Sequence, residues 1–300
     1  MNQNNKPVPL PRRHLSLAAA LLITGLAPVV AGDPPDISKL TAAADKGDAE
    51  AQLDLARAYL NGKGVEKDPA KAFELTKEAA ALGHPEALGG MGFFYSQGLA
   101  VQKSEQQAAD WFKKGAEAGS LKAQTNLGIV LRQGKDIKTS NEESLAWLHK
   151  AAGGGFLEAK SVLGQLYFTG DKLQPKDFDK AVPFLQEAAE AGDPVCQNML
   201  GVAFRDGRGV EKSRDLALEW FKKAARNNDR KAQLNLAQLL GVESPRCENR
   251  QEALKWLIIA SERNELGATK IYREILPTLP AELLSAASKD AQSYLSDNPN

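Results

Sequence analysis

Apolar positions along the chain recur with two nested periods. Ala51, Leu55, Ala56 and Tyr59 return as Ala87, Met91, Gly92 and Tyr95, and again as Ala123, Leu127, Gly128 and Leu131. That spacing lays one buried face along a helix. A second run, Ala72, Leu75, Ala79 and Ala80, returns as Ala217, Trp220, Ala224 and Ala225, and predicts a partner helix. The long period shows in one column, Leu75, Trp111, Trp147, Phe184, Trp220 and Trp256, whose members stand 36, 36, 37, 36 and 36 residues apart. A fixed period of this size marks a stack in which each helix pair buries its apolar face only against its neighbours. The expected fold class is therefore all-α, an α/α superhelical solenoid of helix-turn-helix units.

The polar positions punctuate the same period. Between the two helices of a unit lie glycine turns, Gly62-Lys63-Gly64-Val65 and Gly207-Arg208-Gly209-Val210, where glycine adopts backbone angles other residues avoid. Each second helix is expected to start at an N-cap: Asp68, Ser104, Ser140, Asp177, Ser213 and Asn249. Ser104 with Gln107 and Ser140 with Glu143 read as capping boxes. Units end at Gly47, Gly83, Gly119, Gly155, Gly192, Asn228 and Asn264, the two residue types a left-handed C-terminal cap selects. The small residue beside each core leucine, such as Gly92 or Gly128, lets the second helix approach closely.

The combined pattern A-x-x-x-L-G-x-x-Y-x-x-G-x-G-V followed by A-x-x-W-x-x-K-A-A-x-x-G resembles the Sel-1-like repeat family, a relative of the tetratricopeptide repeats. The resemblance implies a scaffold for protein interaction and specifies the fold far more than the function. It covers six units over residues 47–264, preceded by a capping helix over 32–46 and followed by a divergent repeat, cap and tail over 265–300. The sixth unit departs from it, with Glu243 and Pro245 where the turn glycines belong. At the end, Ala268 to Leu276 starts another first helix, Pro277 and Pro280 break it, and Ala281 to Leu295 closes the stack.

Residues 1–31 read as a signal peptide: Lys6, Arg12 and Arg13 form a basic leader, Leu15 to Leu26 an apolar run, and Val29 and Ala31 place cleavage after Ala31. The run is short for a membrane span, and no cysteine follows the cleavage site to carry a lipid. Export would leave a periplasmic or secreted protein with no stable membrane anchor. The chain has 38 basic and 38 acidic residues, so it offers no basic footprint for nucleic acid. Removing three leader cations leaves 35 against 38, near −3. Its two cysteines fall at different phases. Cys196 stands in the column of Ala51 and Ala87, early in a first helix, whereas Cys247 lies in the next unit's turn, too far for a disulfide.

Few residues offer chemistry. After the leader only His84 and His149 remain, one in an inter-unit turn and one at an exposed helical position. No HExxH, CxxC, GxSxG, phosphate-loop or S-x-x-K spacing occurs, and no cofactor, metal or catalytic residue is expected. In tetratricopeptide-like stacks the first helices line the concave face. The resemblance therefore implies a partner-binding strip of Phe93, Ile129, Phe168 and Val202 flanked by Arg57, Arg132 and Arg205. Such a strip suits a protein or peptide partner carrying carboxylates. The expected function is a monomeric, non-enzymatic adaptor. Two alternatives stay open: a β-lactamase-like envelope hydrolase, and a component of an envelope secretion or exopolysaccharide assembly.

Overall fold

The computed structural model describes residues 36–134, 137–138, 140–244 and 249–299. The expected leader and its cleavage site, residues 32–35, Pro245 and Cys247 lie outside the described residues. Among the described residues the chain forms fifteen α-helices, in keeping with the α/α solenoid class. A lone helix, α1 (Ile37–Ala44), comes first. Six pairs follow: α2 (Ala49–Asn61) with α3 (Pro69–Ala81), α4 (Pro85–Gln97) with α5 (Glu105–Glu117), α6 (Leu121–Gln133) with α7 (Asn141–Gly153), α8 (Leu157–Thr169) with α9 (Phe178–Glu190), α10 (Pro194–Asp206) with α11 (Arg214–Arg226), and α12 (Arg230–Leu240) with α13 (Arg250–Glu262). Then come α14 (Leu266–Ile275), a short 3-10 turn, and α15 (Ala281–Asp297). The chain divides into two compact units, one ending at Ser144 and the other starting at Leu145.

The helices start and stop where side chains satisfy their ends. Asp68, Ser104, Ser140, Asp177 and Ser213 accept from the amides of Lys71, Gln107, Glu143, Lys180 and Leu216 at 3.0 to 3.3 Å. Asn249 does not cap: its φ of −102° and ψ of 35° lie outside the extended region, and its side chain makes no cap bond. First helices carry caps of their own at Asp48, His84, Ser120, Asp193 and Asp229. The seven unit-ending residues all have positive φ, from 60° at Asn264 to 102° at Gly119. In the sixth pair, Glu243 occupies the place where Gly62, Gly98 and Gly207 end their first helices. There α12 stops early, at 11 residues instead of 13, on the left-handed Gly241.

The residue after the aromatic column is the buried one in each second helix. Thr76, Phe112, Leu148, Leu185, Phe221 and Leu257 are at most 1% exposed, whereas Trp111, Trp147 and Trp220 are half-buried. Burial on that scale is worth about 1.5–3 kcal/mol for each large apolar side chain. Three of the four tryptophans that reveal the period are thus not its innermost residues, the fourth, Trp256, being 4% exposed. Lys114 and Lys223 lie over the Trp111 and Trp220 rings at 4.1 Å. Glycines opposite the central residues make room: a Cβ on Gly92 would meet the Phe112 ring at 2.5 Å, and one on Gly201 the Phe221 ring at 2.6 Å.

Glutamines tie a second helix to the next first helix. Nε2 of Gln52, Gln124, Gln197 and Gln233 donates to the carbonyl eight residues earlier, at 3.4, 3.1, 2.9 and 3.2 Å. Each of these carbonyls, at a helix C-terminus, also accepts a backbone amide from the turn three residues on, so the glutamine supplies its second bond. Gln197 Oε1 also accepts from Asn227 Nδ2 at 3.1 Å. The Oε1 atoms of Gln52, Gln124 and Gln233 are buried with no hydrogen-bond partner among the described residues.

The last helices break the pattern for a steric reason. Arg273 holds the place that Ala56, Gly92, Gly164, Gly201 and Ala237 hold in complete pairs, so a second helix has no close approach to α14. After Pro277 and Pro280, α15 packs along α13 instead, burying Ala287 and Ala291. Tyr294 stacks edge-on against Trp256 at 5.2 Å, and its hydroxyl lies 3.0 Å from Asn228 Oδ1. Arg263, 3% exposed, donates to Asn228 Oδ1 and to the Asn298 carbonyl, both at 2.8 Å.

Candidate interaction surface

The seven residues expected to bind a partner divide between the two units. In the first unit, Arg57 pairs with Asp54 at 2.6 Å and lies 3.7 Å from Glu50. Phe93 and Ile129 are only 6% and 4% exposed, and Phe93 packs edge-on against Phe94 at 5.9 Å. Arg132, in the last turn of α6, donates to Asn141 Oδ1. In the second unit Phe168 is 6% exposed and packs against Phe178 at 5.2 Å, while Val202 is half-buried. The three most apolar members are therefore packing residues in this structure. The three arginines of the set, by contrast, are only half-buried, and first helices also expose Leu157 and Val195 near their N-terminal ends.

Arg205 is the best-defined of these groups. It lies at the C-terminal end of α10 and holds Asp206 in a two-bond fork, Nε to Oδ1 at 2.7 Å and Nη2 to Oδ2 at 3.1 Å. Its remaining terminal nitrogen, Nη1, donates to Asn235 Oδ1 at 3.4 Å. Asn235 Nδ2 in turn donates to Asn198 Oδ1 at 2.8 Å, joining α12 to α10. Hydrogen bonds from Arg205, with Arg208 and Lys212 nearby, hold the Asp206 carboxyl below its ordinary pKa. The asparagines were not singled out from the sequence. Their signal is a departure from the repeat, since Asn198 corresponds to Leu53 and Gly89 in earlier units.

The groups with chemical potential elsewhere are structurally engaged. His84 caps α4 through Nδ1, which accepts from Ala87 N at 3.4 Å, and its Nε2 lies 2.9 Å from Glu50. His149 Nε2 lies 2.9 Å from the Tyr167 hydroxyl, and desolvation, aided by Lys180, lowers its pKa. The Cys196 thiol is wholly buried, 3.3 Å from Ser161 Oγ, and burial pushes its pKa far up. A thiol so held is a poor nucleophile. Among the described residues no three His, Cys, Asp or Glu side chains are grouped to hold a metal ion. None of the described helices is long and apolar enough to cross a membrane.

Paired helices on a period near 36 residues define a repeat protein. Six consecutive matches to the Sel1 repeat, at residues 49–84, 85–120, 121–156, 157–193, 194–229 and 230–265, place the chain in that family. Proteins of this family are typically non-catalytic scaffolds for protein–protein interaction. A Sel1 repeat protein from Oxalobacter formigenes is 27% identical with a TM-score of 0.65, over 75% of this chain and 90% of that one. A protective antigen present in uropathogenic Escherichia coli strains, displaying an SLR fold, is 24% identical with a TM-score of 0.55. That second match covers 87% of this chain and 63% of the antigen, and shows likeness of fold. Among curated proteins, the Saccharomyces cerevisiae chitin synthase regulator SKT5 is 37% identical over 57 residues. Those residues span 19% of this chain and 8% of the yeast protein.

Proposed function

We propose that the protein is an exported, non-enzymatic adaptor, periplasmic or secreted, that binds a protein or peptide partner through the first helices of its repeats. The basic leader and apolar run ahead of Ala31 support export. The observation that carries the binding reading is the Arg205–Asn235–Asn198 network. It links two successive first helices by a combination of side chains found in no other unit, although Arg132 and Asn126 hold the places of Arg205 and Asn235 in the third, and recurrence is what stacking requires. The Arg205 guanidinium and the half-buried Asn235 amide, held in place by the buried Asn198, suit an extended peptide, whose backbone and carboxylates supply acceptors.

The test is affinity capture from the envelope fraction of the cells that export the protein, using tagged wild type beside an Arg132→Glu, Arg205→Glu variant. Circular dichroism checks that both are folded. The expected result is a partner retained by wild type and lost from the variant. Identical capture by both chains, or none by either, counts against binding on the first helices, and retention of the chain in the cytoplasm counts against export.

A further inference from the structure

A repeat array samples each position several times, so side chains that stacking needs come back and those that do not come back have another use. The places of Arg205 and Asp206 are held elsewhere by Leu60 and Asn61, Ser96 and Gln97, Arg132 and Gln133, Phe168 and Thr169, and Gly241 and Val242, so the arginine returns once and the aspartate never. Only the fifth pair ends its first helix with a cation, an anion and then a second arginine in the turn.

These three residues form a compact device in the second unit. Asp206 fills the Arg205 fork and also meets Arg208 Nη2 at 2.8 Å. Both guanidiniums sit over aromatic rings: Arg205 lies 6.0 Å from the Phe221 centroid, and Arg208 lies 5.9 and 5.7 Å from those of Phe168 and Phe178. Aromatic floors and the Asn235 amide orient the arginines independently of Asp206. All three side chains reach solvent, at 34%, 26% and 40% exposure for Arg205, Asp206 and Arg208. Two guanidiniums against one carboxylate leave the group with a positive surplus.

We infer that Asp206 is a built-in stand-in for an acidic side chain of the partner protein, and that Arg205 and Arg208 form the carboxylate-binding site it occupies. The inference rests on the adaptor reading. The fork now holds a planar group with two oxygens, which selects carboxylates by shape. Exposed ion pairs contribute little net stability, so exchange of Asp206 for another carboxylate is cheap. The half-buried Asn235 amide beside the fork gives the incoming chain a hydrogen-bond partner. A glutamate or aspartate within an extended segment therefore fits better than an isolated anion.

The test uses the full chain and the fluorescence anisotropy of a labelled oligoglutamate peptide with an amidated C-terminus. Oligoglutamine serves as control, both amidated and as the free acid. Oligoglutamate is expected to bind, less tightly as salt rises, and amidated oligoglutamine is not. Arg208→Gln is expected to weaken binding about tenfold, the effect of one charge-assisted contact. Asp206→Asn keeps an acceptor but removes the competing charge, and is expected to tighten binding several-fold. Should Arg208→Gln perturb the fold, Arg205→Gln replaces it.

Unchanged or weaker binding by Asp206→Asn overturns the stand-in role. So does equal binding of free-acid oligoglutamine, which would assign the fork to chain termini, or indifference to both arginine variants. Loss of a captured partner from the Arg132→Glu, Arg205→Glu variant, with no response to Asp206→Asn, would leave the adaptor reading standing and this inference fallen. The reverse pattern, oligoglutamate binding as expected but no partner captured, would fault the adaptor reading alone.

Discussion

A methyl group on residue 201 would have to occupy space already filled by the Phe221 ring, 2.6 Å away. Gly201→Ala should therefore cost about 1–3 kcal/mol through overpacking, read as a lower midpoint in urea. The repeat itself contains the remedy. Where the small position holds alanine, as at Ala237, the opposite column holds Leu257 rather than phenylalanine. Phe221→Leu added to Gly201→Ala should thus lose less than the sum of the two single changes, and strict additivity would show that the pair does not couple. The sequence discloses the small residue, because only alanine and glycine fill that column through the six pairs. It does not disclose that the buried partner follows the tryptophan, since Thr76, Phe112 and Leu148 look unlike one another while Trp111 and Trp147 do not.

Joints between helices were only partly legible. Left-handed ends announce themselves, because glycine and asparagine are the residues that tolerate them, and the second-helix caps follow from Ser and Asp at one phase. First-helix caps escape because aspartate, histidine and serine share the place, and Phe156 interrupts the column. The shortened α12 escapes because its stop is set by Gly241, two residues ahead of the expected position. The glutamine ties carry a prediction. Asn227, the C-cap of α11, donates to Gln197, and its counterpart at the C-cap of α3 is Leu82, 60% exposed. Leu82→Asn should offer the buried Gln52 Oε1 a donor, raising stability by about 1 kcal/mol. Chemical denaturation measures it, and no gain would mean that Oε1 is already satisfied by water.

Across the whole molecule, stability depends on groups desolvated at the joints, and Asp229 is the clearest. Burial raises its carboxyl above the ordinary value of 3.8, with further contributions from Glu265 and Asp193. A raised carboxyl binds its proton more readily folded than unfolded, so the charged form costs stability above the folded pKa and that cost disappears as pH falls through it. Asparagine caps a helix as well as aspartate. Asp229→Asn should therefore stabilise the protein at neutral pH, and the advantage should vanish in acid. An advantage that grew in acid would reverse the assignment. The fold class was legible in full, from a single column of aromatic residues. The Arg205 network was legible only in part, because its aspartate and asparagines mean little until α10 and α12 are placed side by side.

Arg273 also bears on how such a chain can lengthen. Any helix pair copied in after α14 would meet a guanidinium where its neighbours meet a methyl group or a hydrogen, and would find α13 already covered by α15. New units are more easily accommodated between existing ones, where each seam pairs a small residue with a partner of matching size, than directly after α14. The arginine acts as a stop signal written in side-chain volume, and it makes the number of units at this end a property of one residue.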